Sequence, residues 1–131
     1  MKVGDVASAK IQANPYWNFT GIRLVAGKTY SFSTHGTWID FFAPSTPDGY
    51  DAPWWLWPVL LLLQPFRRAP RVKWFTLIGA VDSARYWTFR IGVNKQLVAP
   101  ATGTLLCFAN DVPFAYFNNR GSVDLTVTRI A

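Results

Sequence analysis

Apolar side chains recur at every second position along several stretches of this chain. Thr29 to Ser33 sets Tyr30 and Phe32 against small polar neighbours. Trp87 to Val93 alternates Trp87, Phe89 and Ile91 with Thr88 and Arg90. Val123 to Ile130 interleaves Val123, Leu125, Val127 and Ile130 with Asp124, Thr126 and Thr128. A period of two marks a strand with one face in a core and the other in solvent. Leu105 to Ala109 is apolar throughout and reads as a buried run. In it Leu105 and Cys107 share one parity and face the core, together with Phe89, Ile91, Val123, Leu125 and Val127. Leu106 and Phe108 then point to the opposite face. Weaker patterns predict strands at Val3 to Ile11, Gly21 to Leu24, Gly36 to Phe42 and Val72 to Ile78. Asn14-Pro15 and Ala26-Gly27-Lys28 are turn signals, and Ala43 to Pro53, rich in Pro, Asp, Gly and Ser, reads as a loop. Eight or so short strands with no repeat and no linker predict one all-β domain over residues 1–131: an antiparallel β-sandwich of jelly-roll type.

The stretch Trp54 to Phe66 reads WWLWPVLLLLQPF. It is interrupted by Pro58 and Pro65 and falls short of the ~20 apolar residues of a spanning helix. It therefore predicts no membrane span but a buried strand over Val59 to Leu63. Trp54, Trp55, Trp57 and Leu60 are more apolar surface than a small sandwich easily hides. They predict an interface, and with it a homo-oligomer, a dimer in the simplest case.

Composition sharpens this picture. All seven acidic residues are Asp, and Glu is absent, which removes a good helix former. The net charge of +6 would suit an anionic partner, but the basic residues are scattered except at Arg67, Arg68, Arg71 and Lys73. The charge is therefore read as solubility, with no nucleic-acid partner expected. Cys107 is the only cysteine, so no intramolecular disulfide forms. Its apolar neighbours make it a structural thiol rather than a nucleophile. The first ten residues lack an apolar core, so no secretory signal is expected and the chain's location stays open. There is no phosphate-binding glycine loop and no His or Cys cluster. Asp40, Asp48 and Asp51 lie among turn residues and read as turn formers rather than a glycosidase pair. No enzyme is expected.

Two segments carry a resemblance. One lies within Trp17 to Trp38 and includes NFTGIRLVAGKTYSFSTHGTW; the other is Gly103 to Val127, GTLLCFANDVPFAYFNNRGSVDLTV. Both resemble the PA-IL-type calcium-dependent galactophilic lectins of bacteria, most specifically from Asn110-Asp111 to Asn118-Asn119. The resemblance implies a calcium ion held by Asp111, Asn118, Asn119, the carbonyl of Ala115 and a further carbonyl from Ile39 to Phe41, taken here as Phe41. Two vicinal hydroxyls of a galactose-type sugar would complete the shell. Calcium takes six to eight oxygen ligands, which suits one carboxylate, two amides and backbone carbonyls. The sugar itself would meet Asp40, Tyr50, Asp111, Val112, Phe114 and Asn118. Asp40 offers an extra carboxylate, and an aromatic ring can stack on a sugar's apolar face. The chain departs from the family at Phe114 and Phe117, where small residues are usual, and at Arg120, a cation beside the ion. The family's sugar-holding His and Gln have no counterpart, since His35 precedes Trp38. Asn-Asp and Asn-Asn-Arg-Gly are also ordinary turn sequences. The alternative to a carbohydrate-binding module is thus a non-catalytic assembly or interaction domain on the same fold, with the Trp-rich segment as its interface.

Overall fold

The computed structural model describes residues 1–41, 43–50, 62–69, 71–82 and 88–131. Eleven strands lie among them: β1 Val6–Gln12, β2 Asn18–Leu24, β3 Thr29–His35, β4 Trp38–Asp40, β5 Ala43–Ser45, β6 Asp48–Tyr50, β7 Trp74–Val81, β8 Phe89–Arg90, β9 Asn94–Val98, β10 Gly103–Ala109 and β11 Asn119–Arg129. They form two sheets, and every pairing is antiparallel. One runs β5-β4-β11-β3-β9, with β1 also paired to β11; the other runs β2-β10-β7-β6, with β8 paired to β7. This is the β-sandwich that the alternation predicts. None of the helices among the described residues is long and apolar enough to cross a membrane.

The core lies between the sheets. Ile91, Leu105, Cys107, Val123, Leu125 and Val127 are buried in it, and Phe89 packs half-buried against it. Burial pushes the Cys107 thiol well above its ordinary pKa, so it stays protonated. Leu106 and Phe108 do point the other way, yet they are buried too, so β10 is covered on both faces. Asn18 joins the sheets. Its Oδ1 accepts from the Gln12 amide at 2.9 Å, and its Nδ2 donates to the carbonyls of Gln12 at 2.9 Å and Cys107 at 3.2 Å. Asn18→Ala leaves these groups unpaired, so we expect a loss of about 2 kcal/mol in denaturant-midpoint measurements. A loss below about 0.5 kcal/mol would mean that water replaces the amide at no cost.

Several boundaries differ from the sequence reading. Ala43 to Pro53 contains two short strands, β5 and β6, before Asp51. Leu62 and Leu63 are helical rather than extended. They lead into a 3₁₀ turn at Gln64–Phe66, and Leu62 is 73% exposed. Prolines at both ends of the run favour such a turn over a strand. The remainder of Val59 to Leu63, and Trp54, Trp55, Trp57 and Leu60 on which the dimer expectation rests, lie outside the described residues. So do Asp51 and Trp87. Among the described residues of that stretch, Thr88 to Val93, only Phe89–Arg90 is strand, because Gly92 turns the chain at φ +63 and Asp48 captures the Val93 amide at 2.8 Å. β7 continues through Gly79, where a side chain would strike the Phe89 ring at 2.8 Å. β9, mostly exposed, carries no alternation to read.

Candidate functional site

The end of β10 is where the chain stops being a sheet and becomes a site. Asn110, fully buried, locks the segment that precedes β7. Its Oδ1 accepts from the Ala69 amide at 2.9 Å, and its Nδ2 donates to the carbonyls of Ala69, Val72 and Lys73 at 2.9–3.0 Å. Both amide hydrogens are shared among three carbonyls and Oδ1 holds a backbone amide, so Asn110 is a strut. Asp111 follows. Its carbonyl accepts from the Arg68 amide at 3.1 Å, and its Oδ1 accepts from the Val112 amide at 2.7 Å. The loop then turns back. The Ala115 amide donates to the Val112 carbonyl at 3.1 Å, Tyr116–Asn118 forms a 3₁₀ turn, and the Tyr116 hydroxyl donates to the Ala109 carbonyl at 2.6 Å.

That return sets Asn118 and Asn119 against β4. The Phe41 amide donates to the Asn118 carbonyl at 3.3 Å, and Asn119 stands opposite Asp40 in the β4–β11 register. Phe41 has φ +56, a conformation that costs a non-glycine residue ~1 kcal/mol or more and gathers at ligand clamps. Tyr50, at the end of β6, donates its hydroxyl to Asp40 Oδ2 at 2.6 Å. Behind these, Phe75 has φ +62 inside the core. Its amide donates to the Asn110 carbonyl at 2.8 Å, and its carbonyl accepts from Trp38 Nε1 at 3.1 Å.

The structure therefore brings Asp111, Asn118, Asn119, Asp40, Tyr50 and Phe41 into one neighbourhood. Three buried side-chain oxygens there have no hydrogen-bond partner: Asp111 Oδ2, Asn118 Oδ1 and Asn119 Oδ1. Leaving each of them unpaired costs ~1–3 kcal/mol. Asp111 is only 2% exposed. Burial, and then repulsion from Asp40, pushes its pKa up to about 7, partly offset by the Val112 amide and the neighbouring Asn119. Desolvation raises Asp40 as well, against the Tyr50 hydrogen bond. Because Asp111 is raised when folded, its contribution to stability is full below the ordinary carboxylate pKa and lost as pH rises through about 7. In chelator, the melting temperature should accordingly climb as pH falls from 8 to 5. A flat profile over that range would mean that Asp111 is solvated.

The other expected residues are placed as follows. The Val112 side chain is buried, and only its amide faces Asp111. Ala115 is half-buried at the turn. Phe114 and Phe117 are 66% and 85% exposed, so both rings point to solvent. Arg120 Nη2 donates to the Phe41 carbonyl at 3.4 Å, the same carbonyl expected to face a cation. His35 pairs with Asp124, at 3.7 Å, on β11. That is five residues from Asn119, or about 16 Å along a strand.

Sequence reasoning missed Arg68. Its guanidinium lies 3.5 Å from the Phe108 ring centre, 3.6 Å from Tyr16, 4.4 Å from Trp17 and 5.6 Å from Tyr116. Its Nη1 donates to the Tyr116 hydroxyl at 3.0 Å and to the Tyr16 carbonyl. The aromatic positions carried a signal, but nothing in the sequence joins residues 16, 68, 108 and 116.

No protein-family model matches this chain, and no curated protein does. Among solved structures, the fold is similar to one described as the EclA N-terminal domain, a PllA-like lectin. The TM-score is 0.69 and the identity 22%, over 94% of this chain and 95% of that one. The two chains share a β-sandwich fold.

Proposed function

We propose that this chain is a carbohydrate-binding module whose ligand is held through a calcium ion at the Asp111–Asn119 loop. The observation that carries this reading is the trio of unpaired buried oxygens on Asp111, Asn118 and Asn119. They belong to the three side chains that the resemblance assigns to the ion. All are oxygens, as calcium prefers, and a cation would satisfy them together. The backbone carbonyls of Ala115 and Phe41 would add two more. Calcium takes six to eight ligands, so such a shell keeps positions open for two vicinal hydroxyls of a sugar, galactose-type by the resemblance. The lectin of similar fold supports the carbohydrate side of the reading. In this reading Asp111 and Asn118 meet the hydroxyls, and the Phe114 ring, which is exposed, offers a face on which a pyranose would stack.

Calcium titrated into metal-free protein, followed by a glycan array with calcium and then with chelator, tests the reading. Sugar binding that disappears with chelator is expected. Sugar binding that survives chelation would remove the metal from the account. Arg120→Ser should tighten calcium binding by about threefold to tenfold, because it removes a nearby exposed cation and frees the Phe41 carbonyl. An unchanged affinity would make Arg120 a bystander.

A further inference from the structure

Asp111, Asn118 and Asn119 together supply one negative charge. That leaves half the charge of a divalent cation uncompensated in a buried place, where an unpaired charge is costly. A second carboxylate stands beside them. The β4–β11 register puts Asp40 opposite Asn119, and its charge reaches Asp111. The Tyr50 hydroxyl holds Asp40 Oδ2 at 2.6 Å, so the carboxylate is fixed rather than free to turn into solvent. Neither Asp40 nor Asp111 takes part in the Arg90–Asp48 ion pair or the His35–Asp124 contact. Two carboxylates thus share one neighbourhood with no ion-pair partner among the described residues, next to three unpaired oxygens.

We propose that Asp40, oriented by Tyr50, is a further ligand of the cation, making a two-carboxylate site that neutralises a divalent ion. The inference rests on reading the Asp111–Asn119 loop as a cation site. It assigns Tyr50 a positioning role, since its hydroxyl acts on Asp40. It also makes the centre neutral once loaded, so that a sugar would add hydroxyls to a site of no net charge.

The test is calorimetry with calcium chloride alone, with no sugar, on wild type, Asp40→Asn, Tyr50→Phe and Asp124→Asn. Asparagine keeps the shape of Asp40, and circular dichroism melts confirm that each variant folds. Asp124→Asn makes the same charge change on β11, far from the site. Asp40→Asn should weaken calcium about 10- to 100-fold and Tyr50→Phe by less, as the loss of ligands and of their outer-shell supports does. Asp124→Asn should bind as wild type. Wild-type affinity in Asp40→Asn would overturn the inference and leave the cation site standing. So would a weakening that vanishes in about 0.5 M salt, because a screened effect is a distant field rather than a bond. Absence of calcium binding in wild type would instead overturn the cation reading, and Asp40's role with it.

Discussion

Asp111→Ala should abolish calcium binding while leaving the metal-free protein as stable as before, or more so. Asp111 is the carboxylate of the loop itself, and losing even an outer-shell partner costs about 10- to 100-fold in metal affinity. Losing the carboxylate should cost at least about 100-fold. The effect on the metal-free protein has the opposite sign. Asp111 is buried beside Asp40, with Oδ2 unpaired and its pKa pushed up to about 7. Above that pH the fold carries a charge that it does not solvate, and alanine removes it. Melts at pH 8 in chelator should therefore show an equal or higher melting temperature for the variant, and calcium should raise only the wild type. A variant that melts far below wild type in chelator would make Asp111 a structural residue, because its bond to the Val112 amide would outweigh its desolvation.

Arg68→Ala should be the most destabilising single change near the site. The guanidinium lies within 3.6 Å of two ring centres, and Nη1 bonds to the Tyr116 hydroxyl. A desolvated cation–π contact contributes about 2 kcal/mol, and a hydrogen bond to a charged group about 1.5–3 kcal/mol. Arg68 is half-exposed, so solvent reduces both. A loss of about 3 kcal/mol is expected, or roughly 10 °C in melting temperature for a chain of this size. Arg68→Lys should recover less than half of it, since an ammonium lacks the plane that stacks between Phe108 and Tyr16. A loss under about 1 kcal/mol would show that the rings pack as well without the cation.

These two residues illustrate what a sequence discloses. Strands with one face in the core were legible, because burial imposes a period of two: β3 and β11 follow their alternation closely. β7 was legible only in part, since all eight of its residues are buried and no alternation marks its end. The Asn-Asp and Asn-Asn positions were legible through resemblance, and the structure draws them to one place. What drew them there was not. The Asn110 strut and the Arg68 cage are contacts between residues tens of positions apart, and Phe41 and Phe75 take positive φ at apolar positions with no turn signal. Local pattern carries no record of them. Phe114 and Phe117, where the family carries small residues, hold their rings in solvent, while the loop's 3₁₀ turn buries Tyr116. At Leu62 and Leu63, the described end of the expected Val59 to Leu63 strand, the reason is related: a short apolar run has no period, and these two residues are helical, with Leu62 exposed.

The proposed calcium site rests on the unpaired oxygens of Asp111, Asn118 and Asn119. Calorimetric titration of calcium into metal-free wild type at pH 8, where Asp111 is ionised, tests it most directly. One ion per chain should bind with a dissociation constant of about a millimolar or tighter, the range of calcium modules. No binding heat, and no calcium-dependent rise in melting temperature, up to about ten millimolar calcium would contradict it.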